Sequence, residues 1–305
     1  MGSAILAAPM KVLQVLVLCA STVFVASALA SDTQPAAPSS STPAAMQQMM
    51  LPSHGSNLLG IFYLAAGAGP HPTALIFHGF PGYEQNLDIA QTLRAHGWNV
   101  LAMHYRGSWG VKGSFSFTHA AEDADTQVQF LLDPANTEKY RIDLHRIVVI
   151  GHSMGGYMAA SAIAHNPQVA AAVLISAWNI SRGFKNRRQP SEAPVTVKEE
   201  AEAIGLDNNL APLAGTTGLA LAREIQDHRQ AFNFLNLAPA IAPRPVFVIT
   251  ASEGLAPSDH ALAEAITKAG DTRVTERHWN TDHSYSGQRA ELAEAILQWT
   301  ANLPR

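Results

Sequence analysis

A chain of 305 residues that is 47% hydrophobic and 14% charged can bury a substantial core, which sets disorder aside for most of its length. Its formal net charge of −4, without any long Lys/Arg run, lacks the basic footprint of a nucleic-acid binder and leaves a small molecule or short peptide as the expected partner. Thirteen histidines raise the question of a metal, but no His-Glu-x-x-His pair and no Cys/His cluster with ligand spacing occurs, so neither metal nor cofactor is expected.

At the N-terminus, Met10-Lys11 opens an apolar run from Val12 to Ala28, and Ala28-Leu29-Ala30 places small residues at the −3 and −1 positions of a cleavage point. Residues 1–30 are expected to be a signal peptide, with export to the periplasm or the medium. The single cysteine, Cys19, would leave with it, and loss of Lys11 would take the net charge from −4 to −5. Retention of the run as an anchor and lipidation at Cys19 are the rival readings. The run is short for a membrane-spanning helix, and Leu18 is not the small residue that lipid attachment uses, so no span is expected in the mature chain. Residues 31–50 are rich in Ser, Thr, Pro and Ala and are expected to form a flexible linker, with the folded domain over 51–305.

Within that domain, strands are expected at Asn57–Ala65 and Pro72–His78, separated by a Gly/Pro turn. A helix over Asn86–Ala95, a strand over Trp98–Tyr105 and a helix over Ala120–Leu132 follow. Arg146–Ile150 has a wholly apolar core, the pattern of a strand buried on both faces of a parallel sheet. A helix over Met154–Ala164 and a strand over Val169–Ser176 continue the alternation. It breaks between Ala177 and Asp227, where a basic stretch (Arg182, Lys185, Arg187, Arg188) precedes helix-like segments; a lid insertion over 177–227 is expected. Strand, helix, strand and helix then resume over Pro245–Ala251, Ser258–Ala269, Arg273–His278 and Gln288–Thr300. The sum is an α/β fold, a doubly wound and mostly parallel sheet with helices on both faces.

Gly151-His152-Ser153-Met154-Gly155-Gly156 stands between the apolar strand and a helix of small residues, the context that a Gly-x-Ser-x-Gly elbow demands. Such a turn projects the serine oxygen above the sheet, and the flanking glycines remove Cβ atoms that would collide there. His78-Gly79-Phe80-Pro81-Gly82 leaves another strand end, as an oxyanion loop would. Together these motifs resemble the α/β-hydrolases, in particular esterases, dienelactone-hydrolase-like and prolyl-oligopeptidase-like members, from about Leu51 to the C-terminus. The resemblance implies Ser153 as nucleophile and the backbone N–H groups of Phe80 and Met154 as oxyanion hole. His-Gly-Phe-Pro also resembles epoxide hydrolases and dehalogenases of the same fold, but those use Asp where Ser153 stands. His78 and Arg106, the latter in Tyr105-Arg106-Gly107, are expected to brace loops.

In that family the acid and then the histidine follow the serine along the chain. His283, in Asn280-Thr281-Asp282-His283-Ser284 ahead of the last helix, occupies the position of the base and is preferred over His278 and His260. Ser252-Glu253-Gly254-Leu255-Ala256-Pro257 resembles the family's Asp-x-apolar-x-Pro, with Glu253 as the acid; Asp259 and Asp282 are the alternatives. The implied activity is hydrolysis of an ester or related acyl bond through an acyl-Ser153 intermediate. A peptidase on short peptides, acyl transfer under a water-excluding lid, and a non-catalytic binding protein on the same fold are the other readings.

Overall fold

The computed structural model describes residues 42–186, 195–270 and 273–304. The expected signal peptide, linker residues 31–41 and the basic pair Arg187 and Arg188 lie outside them. Strand β1 (Ala45–Ser53) pairs antiparallel with β2 (Ser56–Leu64) along its whole length, from Ala45 opposite Leu64 to Ser53 opposite Ser56. His54 and Gly55 between them have φ of 45° and 82°, the two-residue turn whose twist matches that of the strands. Residues 45–50 of the expected linker are thus strand. On β1 only Met49, Leu51 and Ser53 are buried, while Met46 and Met50 are exposed, so this one-faced edge strand offers little apolar pattern to read.

The chain continues through β3 (His71–Phe77), α1 (Leu87–Ala95), β4 (Asn99–Met103), α2 (Phe117–Leu132) and a short α3 (Pro134–Tyr140) that the sequence reading did not contain. Helix α3 has its own start signal, Asp133 accepting from the Ala135 N–H at 2.8 Å with Pro134 in the first turn. Then come β5 (Ile142–His152), α4 (Met154–His165) and β6 (Ala171–Ile175). The insertion that follows carries α5 (Val197–Gly205) and α6 (Gly218–Asp227), and extends past Asp227 through irregular chain to α7 (Ala238–Ile241). Strand β7 (Val246–Ala251), α8 (Ala256–Lys268), β8 (Val274–Trp279) and α9 (Arg289–Ala301) complete the order.

The eight strands form one sheet ordered β1-β2-β4-β3-β5-β6-β7-β8, parallel from β4 to β8. Neighbouring residues on the central strands serve opposite faces. Ile76, Val148, Ile150 and Val173 meet Leu93 of α1 and Ile296 of α9. Leu75, Val149, Leu174 and Val248 meet Val128 of α2, Met158 of α4 and Leu262 of α8. Covering both faces is why these strands are continuously apolar, each buried Val or Leu contributing about 1.5–3 kcal/mol. Strand β5 is central, flanked by β3 and β6, so the turn leaving its C-terminal end opens where ligands sit in such sheets.

The insertion is tied to the sheet domain by polar contacts. Glu224 of α6 accepts from the Phe117 N–H at 3.0 Å and the Thr118 N–H at 2.8 Å, placing a carboxylate on the positive end of α2. Thr196 and Glu199 cap α5 reciprocally. Replacing Glu224 with Ala strips two N–H groups of their partner and should cost roughly 1 kcal/mol, a drop of about 2–4 °C in Tm measured by thermal circular dichroism.

Candidate active site

Ser153 follows β5 and opens α4 with φ 58° and ψ −120°, a conformation that a non-glycine residue holds only when its surroundings impose it. Those surroundings are specific. The Ser153 N–H donates to Ile175 O at 2.9 Å, and the Ser153 carbonyl accepts from Gly156 and Trp178, each at 2.9 Å. A Cβ on Gly151 would fall on the Gly155 carbonyl, one on Gly155 would fall on the Phe77 carbonyl, and one on Gly156 would lie 2.5 Å from Ala177 Cβ. The glycines therefore permit the contact between helix and strand ends that forces the serine into its turn.

The loop after β3 lies against Ser153. A Cβ on Gly79 would sit 3.0 Å from Ser153 Cβ and 3.6 Å from Ser153 Oγ. Among the described residues, no hydrogen bond engages the N–H of Phe80 or of Met154, the two donors expected to receive an oxyanion. His78 Nδ1 lies 2.9 Å from Gly79 O and Nε2 lies 3.3 Å from His104 Nδ1, while the Tyr105 hydroxyl donates to His78 O at 3.1 Å. His78 thus braces the loop. Trp109 Nε1 donates to Pro81 O at 2.8 Å on its far side. The Phe80 side chain packs into Phe115, Phe117, Phe184 and Trp178 at centroid separations of 5.7–6.5 Å, so the insertion covers this loop with aromatic surface. Arg106 is also structural, its Nε donating to Asp123 Oδ1 at 2.8 Å and its N–H to Asp123 Oδ2 at 2.7 Å.

Glu253 and His283, 30 residues apart, come together: Nδ1 of the imidazole is 3.5 Å from Glu253 Oε1, with the glutamate side chain 7% exposed and the histidine 24%. The loop carrying His283 is held from three directions. His152 Nε2 lies 2.8 Å from the His283 carbonyl, the Tyr285 hydroxyl lies 2.9 Å from Ser176 Oγ, and Arg289 donates to Ser284 O at 3.1 Å. Among the described residues no hydrogen bond joins Ser153 Oγ to the imidazole, although the His152 and His283 rings lie 4.6 Å apart between centroids. Catalytic contacts are often long before substrate is bound.

The alternatives are placed elsewhere. His278 remains in β8, with Nδ1 2.9 Å from Thr250 Oγ1 and Nε2 3.2 Å from Ser252 Oγ, and the exposed His260 pairs with Glu276 and Glu264. Asp282 accepts from the Ser286 N–H at 2.8 Å, which holds its carboxyl below the usual range. Asp259 is completely buried, and burial first and then the charge of Glu253 push its carboxyl well above the usual range. His152 was not singled out from the sequence, because its partner is a backbone carbonyl 131 residues away. Its signal was its place beside Ser153. No group of three or more His, Cys, Asp or Glu residues that could hold a metal occurs among the described residues, and none of their helices is long and apolar enough to cross a membrane.

The serine on a strained turn at the end of the central strand, with free N–H donors beside it and a Glu–His pair on the next loops, defines the class of α/β-hydrolase sites. Residues 74–295 match the model of the Alpha/beta hydrolase family, and the chain belongs to that family. It is similar to a protein named a non-heme haloperoxidase of Mycobacterium phage D29, 37% identical over 91 residues and 30% of each chain. It is also similar to cutinase est1 of Thermobifida alba, 22% identical over 134 residues, 43% of this chain and 44% of that one. The match spans less than half the length of these curated relatives. Among solved structures, the Pyrococcus furiosus esterase Pf2001 shares the fold at a TM-score of 0.61 and 17% identity, over 85% of this chain and 92% of that one.

Burial, the leading cause in both cases, depresses the histidines at this site: His78 to about 3, and His152 well below its ordinary value, with His283 nearby adding to the effect. The unfolded chain takes up protons near pH 6.5 that the folded chain refuses, so this contribution is complete above about pH 6.5 and is lost on acidification. Tm should therefore fall between pH 7 and pH 5, and His78→Asn should show a shallower fall over that interval in scanning calorimetry.

Proposed function

We propose that the protein hydrolyses esters or closely related acyl bonds through an acyl-Ser153 intermediate. The observation that carries this reading is the strained Ser153 turn facing the Gly79-Phe80 loop, with His283 and Glu253 paired at the expected loop ends. Ser153 Oγ attacks the substrate carbonyl carbon while its proton passes to Nε2 of His283. The negative charge that develops on the carbonyl oxygen is received by the Phe80 and Met154 N–H groups, with the N-terminus of α4 adding its dipole. Nδ1–H of His283 faces Glu253, which fixes the tautomer and stabilises the imidazolium. The imidazolium then protonates the leaving alkoxide. In the second half, His283 takes a proton from water, the hydroxide attacks the acyl carbon, and Ser153 leaves with that proton restored. The relatives named esterase and cutinase support an ester as substrate.

Ser153→Ala should abolish both turnover of p-nitrophenyl esters and labelling by a fluorophosphonate while leaving the circular dichroism spectrum intact. Glu253→Gln keeps the shape but loses the charge, and should lower kcat by roughly 10²- to 10⁴-fold. Asp282→Asn, whose carboxylate serves Ser286, should lose far less. Equal losses in the two carboxylate variants would move the acid elsewhere.

We also propose export with cleavage after Ala30, supported by Lys11, the apolar run and Ala28-Leu29-Ala30. Expressed in a bacterium, the protein recovered from the periplasm or medium should begin at Ser31 by N-terminal sequencing.

A further inference from the structure

The last residue of β5, His152, carries an imidazole that the reaction above leaves unused. Its backbone stands opposite Ile175 of β6, and the next residue along the chain, Ser153, donates its N–H to the Ile175 carbonyl at 2.9 Å. The His152 ring lies 4.6 Å from the His283 ring between centroids and places Nε2 2.8 Å from the His283 carbonyl oxygen. Other ties from outside the loop end on neighbouring residues. The Tyr285 hydroxyl meets Ser176 Oγ and Ile249 O, Arg289 donates to Ser284 O, and the Ser252 N–H donates to Thr281 O. The bond from His152 ends on residue 283 itself.

A carbonyl oxygen can only accept, so the ring proton of His152 stands on Nε2. Nδ1 is buried, and among the described residues no hydrogen bond reaches it. A second proton on Nδ1 would leave a cationic N–H without an acceptor in a residue only 3% exposed, which is costly. The ring is therefore neutral and held in one tautomer. Burial first, and then His283, press it the same way. Neutrality matters here, because a cation at His152 would oppose the positive charge that the proposed reaction develops on the His283 imidazole.

We propose that His152 is a positioning residue for the proposed base: its Nε2–H, donated to the His283 carbonyl, sets the separation between Ser153 Oγ and the His283 ring. The two reacting groups stand at the two ends of one link, since Ser153 follows His152 in the chain and His283 accepts its hydrogen bond. A misplacement of about 1 Å between reacting groups can cost roughly 10²-fold in rate. The inference rests on the proposed function only for its kinetic consequence. The tautomer and the hydrogen bond are properties of the folded chain.

Two sets of measurements test it. In ¹⁵N NMR of the wild-type ring at pH 7, His152 should show a protonated Nε2 and an unprotonated Nδ1. The opposite tautomer, or a doubly protonated ring, would overturn the proposal whether or not the protein hydrolyses esters. In kinetics, His152→Phe keeps a ring but not the donor, and should lower kcat about 10- to 100-fold at nearly constant KM. The rate of fluorophosphonate labelling at Ser153 should fall in parallel. His152→Gln, whose side-chain N–H can take the place of Nε2–H, should recover most of both losses. Equal activity of the Phe and Gln variants, with both folded by circular dichroism, would overturn the positioning role, and so would a rise in KM at unchanged kcat. Absence of turnover and of labelling in the wild type would instead count against the proposed function and leave the NMR result standing.

Discussion

The structure depends on one close contact, the approach of the first turn of α4 to the ends of β3 and β5. Backbone meets backbone there, with Gly155 against the Phe77 carbonyl and Gly151 against Gly155, and no side chain fits between. The consequence is Ser153 at φ 58° and ψ −120°, held by hydrogen bonds to Ile175, Gly156 and Trp178 rather than by any preference of serine. The same contact leaves the Met154 N–H at the head of α4 and sets the Gly79-Phe80 loop beside the hydroxyl. One steric constraint thus places both the proposed nucleophile and the groups that would receive the oxyanion.

Around that point the molecule relies on buried polar side chains that bridge loops. His78 holds the loop after β3, His152 the loop after β8, and Arg106 with Asp123 ties the loop after β4 to α2. Each satisfies a backbone group or a charge in a place that is largely closed to water. The insertion between β6 and β7 adds a second layer. Its Trp178, Phe184 and Phe232 join Phe115, Phe117 and Phe80 in one aromatic group over the Gly79-Phe80 loop, and Glu224 fastens α6 to the start of α2.

Much of this was legible from local pattern. Each expected strand and helix from Asn57 onward corresponds to an observed element within a few residues, because strands buried on both faces and small-residue helices leave strong one-dimensional signals. Strand β1 left none: Met46-Gln47-Gln48-Met49-Met50 has no regular alternation on this edge, and it resembled the linker before it. Helix α3 was lost because seven residues carry less than two turns of periodicity. At the site, Ser153 was marked by its glycines and Glu253 and His283 by their places at strand ends, whereas nothing local marked the tie of His152 to the His283 carbonyl, 131 residues away.

Sequence by itself determined the alternation of elements, the elbow at Ser153 and the family to which the chain belongs, since each is written in neighbouring residues. Tertiary structure decided which distant groups meet. The 3.5 Å approach of Glu253 to His283 and the support of the His283 carbonyl by His152 follow from the order in which β5, β6, β7 and β8 stand in the sheet. Their energetics depend on the exclusion of water between loops that lie up to 131 residues apart, and no local stretch of sequence encodes that exclusion.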